Sequence, residues 1–190
     1  YACMQAVSDL RRQIFKLGGD IWVAEAEIEA VIGEILQFAS VHHVFSHEET
    51  GASFTFERDK RVKKWFSEQA ITWTEFPTNG VVRGLKDRNR RSAIWNKRIF
   101  SPVVSAPVAM PLAPEVARLC EERWERVQAK YHAEQFAPEF EVVSESAAAK
   151  RIESFLGCRG LSYSGGISSP NTAFEAGSRL SAQLAWGTIS

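Results

Sequence analysis

The spacing of hydrophobic residues changes repeatedly along the first hundred residues of this chain. Apolar residues recur every three or four positions from 4 to 17, which is typical of an amphipathic helix, and Gly18 and Gly19 suit a left-handed helix end. Other short segments are either continuous apolar runs or alternate between apolar and polar residues, and both patterns are typical of strands. The elements predicted in chain order are a helix at 4–17, a strand at 21–24, a helix at 28–36, a strand at 41–45, a helix at 54–69 and a strand at 71–76.

This alternation of strands and helices determines the predicted fold class. Because short connections between alternating strands and helices favour parallel pairing, we expect an α/β fold, a partial doubly wound parallel sheet with helices on both faces. A right-handed crossover requires a strand before the first helix. Since the chain opens on a helix, and on Tyr1 rather than Met, we expect one or more N-terminal strands to be missing.

Prolines mark a boundary after residue 100. Five of the seven prolines lie between 100 and 143, where each interrupts helix and favours extended backbone. We therefore predict an α/β domain at 1–100 and an interdomain connector at 101–143 that contains one helix, at 114–132. Helical spacing resumes after residue 144, where either Ser144 or Ser146 can cap a helix, so residues 144–190 are predicted to begin an all-helical domain.

The composition of the chain limits which partners it can bind and indicates the cellular compartment in which it works. Basic and acidic residues number 23 each, so the whole chain has no electrostatic attraction to DNA or anionic lipid, and any nucleic-acid surface must be local. Three widely spaced cysteines without a CxxC pair fit a reducing cytoplasm. No apolar run approaches the ~20 residues that span a bilayer, so we expect no membrane partner.

Three local features could carry chemistry, but each also has an ordinary explanation. Basic stretches at 58–64 and 83–98, the second around Trp95, could contact a phosphate backbone or could be solvated faces. His43 and His47 share a strand face, but four residues of strand separate them by about 13 Å, so we expect no metal site. The six tryptophans are interpreted as core residues rather than as an electron relay.

The clearest candidate site lies near the C-terminus, where Ser178, Arg179, Leu180 and Ser181 open a predicted helix. A helix N-terminus offers unpaired N–H groups and a partial positive charge, the serines add hydroxyl donors, and the arginine adds a charged fork. A diphosphate would fit such a site. The alternative interpretation is that Ser178 is only an N-cap.

The surroundings of these four residues resemble a known family. Residues 163–190 contain, in order, Tyr-Ser-Gly-Gly, Ser-Ser-Pro-Asn, Ser-Arg-Leu-Ser and Ala-Trp-Gly-Thr-Ile-Ser, an order that resembles the segment with which DNA photolyases and cryptochromes begin to bind FAD. Stretches at 46–51, 56–62 and 79–88 are similar to the α/β domain of bacterial deoxyribodipyrimidine photolyases. The resemblance covers most of the chain, and because members continue beyond the end of this sequence, we expect a chain incomplete at both ends.

The resemblance also implies which residues hold the cofactor. Tyr163 would contact the ribose-phosphate region of FAD, and the four residues from Ser178 to Ser181 would form the diphosphate loop, with Leu180 acting through its backbone. Many members carry threonine or cysteine where this chain has Gly177, so one possible hydroxyl contact is absent.

A second chromophore is implied for the α/β domain, which in this family often holds a light-harvesting antenna of folate or deazaflavin type. His47, Glu48 and Glu49 follow a predicted strand, at the sheet edge where α/β folds bind ligands. These residues could line an antenna site or could form an ordinary polar loop.

The resemblance implies a blue-light-driven DNA photolyase, in which excited reduced FAD donates an electron to a cyclobutane pyrimidine dimer flipped out of damaged DNA. Two alternatives stay open: a cryptochrome-type photoreceptor without repair activity, and a non-flavin α/β module that binds a ligand or a protein. No catalytic residue can be assigned, because the family's flavin-ring and lesion contacts lie in later helices.

For the 190-residue chain alone, we expect no repair and at best weak flavin binding. Leu180 and Leu184 are predicted to point inward from the last helix, with Trp186 as a further candidate. Without opposing helices, the apolar face at 180–186 is expected to promote association.

Overall fold

The computed structural model describes residues 2–78, 81–131 and 142–189. The turn predicted at Asn79 and Gly80, and a surface position on a helix predicted for His132, lie outside the described residues. The chain divides into two compact units, which we call the sheet unit (Ala24–Ala106) and the helical unit (Tyr1–Val23 with Pro107–Ser190). The three domains predicted from the sequence stay predictions.

Helices predominate among the described elements, and the strands are short. The helices are α1 (Ala2–Lys16), α2 (Ile28–Ile35), α3 (Ser53–Glu68), α4 (Arg91–Ile99), α5 (Pro114–Tyr131), α6 (Glu145–Gly157), α7 (Tyr163–Gly166), α8 (Ala173–Ala176) and α9 (Ser181–Ala185). The strands are β1 (His43–His47) and β2 (Thr72–Phe76), and 3-10 turns lie at Arg88–Arg90 and Arg159–Ser162.

The two strands form a parallel pair, as predicted. Their register runs from His43 opposite Thr72 to His47 opposite Phe76, and α3 connects them. The predicted helices that became α1, α2 and α3 are confirmed within about two residues, as is the strand that became β2. The fold is therefore mixed α/β and mostly helical, with a small parallel sheet. The larger doubly wound sheet stays a prediction.

Two strand predictions need correction. The strand expected at 41–45 begins later, at His43, because pairing starts where the Thr72 amide donates to the carbonyl of His42 (3.0 Å). The strand expected at 21–24 is wrong, because no ladder forms there. Instead the Ile21 amide donates to the Asp20 carboxylate (2.7 Å), and the Trp22 ring lies 4.7 Å from the Arg123 guanidinium of α5.

The core of the sheet unit lies between the strand pair and helices α2 and α3. Ile32, Val62, Phe66 and Ile71 form a buried cluster. The ring of Trp73 packs edge-on against Phe66, and its indole N–H donates to the Ser46 hydroxyl (2.9 Å), so the polar end of this tryptophan is satisfied. Arg61 of α3 reinforces the packing of the helices by pairing with Glu27 and Glu29 (both 2.6 Å).

The opposite face of the strand pair carries a row of exposed aromatic rings. Phe45 stacks between His43 (4.0 Å between centroids) and Phe76 (6.1 Å), and the His47 ring lies 6.4 Å from Phe76. Phe45 is 61% exposed and Phe76 is 47% exposed. Helices on both faces were predicted, but the described part of this unit places α2 and α3 together at the core on one face.

An ion-paired arginine links the first helix of the helical unit to α5. Arg11 pairs with Asp20 (2.6 Å) and Glu121, and its guanidinium lies 5.0 Å from the buried Trp124 ring. The glycine helix end is confirmed, because Gly18 has φ +84° directly after α1. The predicted cap at Ser144 is also confirmed, since its hydroxyl accepts from the Ala147 amide (3.2 Å).

Replacing Phe66 with alanine should lower the free energy of unfolding of the sheet unit by about 3–4 kcal/mol, because the ring is 1% exposed and its loss leaves a cavity. Fluorescence of Trp65 and Trp73, both in ring contact with Phe66, would follow unfolding in urea. Phe45→Ala, which removes the same side chain from the exposed face, should change stability by no more than about 0.5 kcal/mol. Equal losses in the two variants would contradict this description of the core.

The Arg11–Asp20 pair should make the helical unit sensitive to acid. Hydrogen bonding from Arg11 lowers the pKa of Asp20. A depressed pKa adds stability that is fully present above the unfolded value of about 3.9 and is lost as pH falls through the folded value. Asp20→Asn should therefore be less stable at neutral pH but lose less stability than the parent chain between about pH 5 and pH 2. Urea unfolding across this range would measure both slopes, with Glu125→Gln as a surface control. Identical slopes for the parent and Asp20→Asn would refute the assignment.

Candidate functional site

The predicted site residues lie in the C-terminal part of the helical unit, where α6 to α9 and the 3-10 turn at Arg159–Ser162 follow one another closely. Tyr163 begins α7, and the loop at 178–181 joins α8 to α9. Gln183 of α9 is fully buried, donates to the Val142 carbonyl (2.9 Å) and accepts from the Thr188 hydroxyl (2.6 Å). The loop is thus held between two short helices, and a satisfied buried amide anchors the second one.

The predicted helix start at Ser178 is wrong. The helix begins three residues later, at Ser181, and its N-cap is Leu180, which makes no side-chain cap hydrogen bond. The alternative interpretation of Ser178 as an N-cap is therefore also wrong. Because α9 is only five residues long, its dipole contributes less positive potential than the prediction assumed.

The position of Gly177 explains the missing hydroxyl side chain before the loop. Its amide donates to the Ala173 carbonyl (2.8 Å) at the end of α8. A Cβ at Gly177 would lie 2.8 Å from that same oxygen, closer than real Cβ atoms come to a backbone atom. A larger residue would require α8 to shift, so glycine here is a requirement of close packing.

Arg179 has an uncommon backbone conformation, with φ +57°. For a residue other than glycine, left-handed backbone costs about 1 kcal/mol or more and persists only when its surroundings enforce it. Ala70 also has positive φ, but it directly follows α3, where such backbone is usual. Arg179 lies instead inside a loop between two helices, so its conformation needs a local cause.

Two arginines outside the loop supply that cause. Arg151 of α6 donates to the carbonyl of Arg179 (2.9 Å). Arg159 donates to the carbonyls of Gly177 and Ser178, and also reaches the Arg151 carbonyl (3.3 Å), which joins the two arginines to one network. The carbonyls at 177–179 thus face the two guanidinium groups.

The side chains of the loop are partly accessible. Ser181 is exposed, while Ser178, Arg179 and Leu180 are half-buried. The Arg179 guanidinium lies 4.7 Å from the centre of the Phe174 ring. The N–H donors of a guanidinium lie in its own plane and point away from its centre, so a contact with the ring face leaves them able to bind an anion.

Tyr163 is connected to the loop through two intermediate side chains. Its ring, 44% exposed, packs edge-on against Phe155 at 5.8 Å between centroids. The Arg159 guanidinium lies 5.8 Å from the same Phe155 ring, and Arg159 also binds the Gly177 carbonyl. The structure therefore joins Tyr163 and the 178–181 loop in one contact network.

An open pocket of about 670 Å³ lies beside this network. Cys158, Arg159, Gly165, Gly166, Glu175 and neighbouring residues line it, and Cys158 is exposed. None of the five predicted cofactor residues is among its lining residues. The loop and the pocket are therefore neighbouring features rather than one cavity.

Sequence reasoning missed Arg151 and Arg159 as parts of the site. Both occur in a segment that was interpreted only as a helix with an apolar stripe. One signal was available, because Arg159 lies two residues after the end of α6, close to the glycine that ends this helix, where arginines often bond to backbone carbonyls. Their targets are backbone carbonyls some 18 to 28 residues further along the chain, and no sequence motif records such contacts.

The residues proposed for an antenna site, His47, Glu48 and Glu49, lie at the carboxyl end of β1. Two hydrogen bonds hold the Glu48 backbone. Its amide donates to the Phe76 carbonyl (2.8 Å), and its carbonyl accepts from the Thr78 hydroxyl (2.8 Å). The Glu49 carboxylate accepts from the Gly51 amide (2.7 Å). These contacts order the loop from within, and its role toward an antenna stays a prediction.

The described residues contain no group of three or more histidine, cysteine, aspartate or glutamate side chains that could hold a metal ion. Among the same residues, no helix combines the length and apolar character needed to cross a membrane.

Comparison with known proteins gives a likeness in structure but none in sequence. No protein-family profile matches the sequence, and no curated protein matches it. The crystal structure of a bacterial class III photolyase from Agrobacterium tumefaciens matches all of this chain, with a TM-score of 0.65 and 16% sequence identity. The fold is photolyase-like. This chain spans 41% of the length of that photolyase, so the likeness concerns the fold of part of such a protein.

Arg159→Lys should loosen the 178–181 loop, because lysine keeps the charge but cannot donate to several carbonyls with a planar fork. We expect the free energy of unfolding of the helical unit to fall by about 1–2 kcal/mol, and the amides around Arg179 to exchange hydrogen faster. Arg126→Lys, at an exposed position on α5, serves as the matched control. Unchanged exchange around Arg179 in Arg159→Lys would contradict the bracing role of Arg159.

Proposed function

We propose that this chain is part of a flavin-dependent, blue-light-driven DNA photolyase, and that its 178–181 loop holds the diphosphate of FAD. The observation that carries the proposal is the left-handed Arg179 backbone, kept in place by Arg151 and Arg159. Backbone strain of this kind gathers at ligand-binding sites, where it fixes donors before the ligand arrives. The photolyase-like fold and the serine-rich order of residues 163–190 support the same conclusion.

The residues of the loop suit a diphosphate in their chemistry. Ser178 and Ser181 supply hydroxyl donors, and Arg179 supplies a charged fork. The first amides of α9 have no carbonyl within the helix to which they could donate, and Leu180 would take part through its backbone. Arg151 and Arg159 turn the loop carbonyls toward themselves, so fewer acceptor oxygens face a bound anion. The donor set therefore fits the group.

In this proposal the protein binds and orients, and the flavin supplies the electron that splits a cyclobutane pyrimidine dimer. Tyr163 would contact the ribose-phosphate region, and the Phe155–Arg159 contact would fix its ring relative to the loop. Damaged DNA would be the partner of the longer protein. A folate- or deazaflavin-type antenna in the sheet unit and a cytoplasmic location are part of the same proposal.

A diphosphate site predicts a ranking of flavins. The chain should bind FAD weakly but more tightly than FMN or riboflavin, because only FAD carries a diphosphate. The double variant Ser178→Ala with Ser181→Ala should weaken FAD binding by at least about fivefold and by up to about 150-fold, at about 0.5–1.5 kcal/mol for each of two lost hydrogen bonds, and should leave riboflavin binding unchanged. Quenching of flavin fluorescence on titration with protein would measure all three affinities.

Ser92→Ala, at an exposed position on α4, is the control for the serine substitutions. Equal affinity for FAD and riboflavin would remove the diphosphate from the proposal. Failure of a longer protein that contains this chain to bind any flavin would favour the non-flavin module. In a longer protein that binds FAD, light-dependent loss of pyrimidine dimers from supplied DNA would separate a photolyase from a cryptochrome-type receptor.

A further inference from the structure

The sheet unit contains a segment whose positive charge is not balanced by neighbouring acids. Between residues 86 and 98 there are six basic residues and one acid, Asp87, and no further acid occurs before Glu115. The Asp87 carboxylate accepts from the Asn89 amide (3.0 Å) and so begins the 3-10 turn. Although the whole chain is formally neutral, this segment is strongly basic.

The cations of this segment are presented to solvent. The 3-10 turn Arg88–Arg90 leads directly into α4, and none of the residues in either element is buried. Arg88, Arg90, Arg91 and Lys97 are exposed, and Trp95 beside them is 41% exposed. Arg98, in contrast, is half-buried and donates to the Val81 carbonyl (2.7 Å), which ties α4 to the unit.

The cations of helix α3, in contrast, form ion pairs with nearby acids. Lys60 pairs with Glu57 (2.8 Å), Arg61 with Glu27 and Glu29, and Lys64 approaches Glu68 (3.8 Å). Within the described ranges, no salt bridge of 4.0 Å or less involves Arg88, Arg90, Arg91 or Lys97. The basic stretch on α3 is therefore largely neutralised within the fold, whereas the stretch around α4 is not.

The placement of these arginines is also unfavourable for the helix itself. Arg90 and Arg91 occupy the start of α4, which has no acid in its first turn. The positive end of a helix dipole disfavours cations there. Departures from local preference without a compensating contact in the fold are expected at functional surfaces.

We propose that Arg88, Arg90, Arg91, Trp95 and Lys97, which we call the basic surface, bind the phosphate backbone of DNA independently of sequence and of any lesion. The nine residues of α4 extend over about 14 Å, a length of duplex that carries roughly eight phosphates. The helix is therefore long enough for exposed cations along it to contact several phosphates. Trp95 lies one helical turn from Arg91, which gives the arginine–aromatic neighbourhood common on nucleic-acid-binding surfaces.

An anionic membrane is the other polyanion that a basic helix could bind, but α4 lacks the required pattern. A helix lying in a membrane interface separates an apolar face from a basic one. Here Ile94 and Arg98 share one face, as do Arg91 and Trp95, since each pair is four residues apart. Basic and apolar residues are interleaved, which favours the nucleic acid.

The test uses the 190-residue chain and a fluorescent, undamaged duplex of about 20 base pairs, without flavin and in the dark. The triple variant Arg88→Gln, Arg90→Gln and Arg91→Gln should bind at least about tenfold more weakly, and the slope of log affinity against log salt should fall by about 2–3. The control Lys60→Gln, Lys63→Gln and Lys64→Gln removes the same charge from α3 of the same unit. It should stay within about threefold of the parent chain.

A charge-retaining variant, Arg88→Lys with Arg90→Lys and Arg91→Lys, guards against a folding artefact and should keep most of the affinity and the salt slope. Equal losses in the α3 and α4 glutamine variants would overturn the proposal, because the effect would then reflect net charge alone. Binding to phosphatidylserine vesicles but not to the duplex would also overturn it, as would no duplex binding at low salt. Since flavin is absent throughout, these outcomes are independent of whether the 178–181 loop holds FAD.

Discussion

The hydrogen bonds from Arg151 and Arg159 to the carbonyls of Gly177, Ser178 and Arg179 are the constraint on which the candidate site depends. A left-handed arginine would relax to ordinary backbone if those carbonyls were free to turn. Arg159 also contacts the Phe155 ring, which packs against Tyr163. One guanidinium therefore lies between Tyr163 and the 178–181 loop in the contact network. The geometry of the site is therefore a property of α6 and the turn after it as much as of the loop itself.

The sheet unit shows a different balance between its two faces. One face buries Phe66 and the cluster around it, and the polar end of Trp73 is bonded to Ser46. The other face presents Phe45 and Phe76 to solvent. Parallel strands are usually covered on both sides. The exposed aromatic row is therefore the face of the strand pair that α2 and α3 leave uncovered among the described residues.

Much of the fold followed from residue spacing, because α1, α2 and α3 each carry an apolar stripe that repeats every three or four residues, and the cap at Ser144 is a local contact between a side chain and the next turn. The strand expected at 21–24 failed because a strand exists only with a partner, which its own residues cannot supply. Leu184 and Trp186 were predicted to face inward, yet both are about half exposed, since Gln183 takes the buried position by bonding to Val142 and Thr188. The helix start at Ser178 failed for a related reason: arginines distant in sequence set the backbone there.

The exposed thiol beside the pocket has a practical consequence. All three cysteines are free, but Cys120 is buried, its pKa is raised by that burial, and Cys3 is partly covered. Thiol reagents act on accessible thiolates. A dye or spin label should therefore react fastest at Cys158, next to Arg159, and give a spectroscopic reporter within the contact network of the loop.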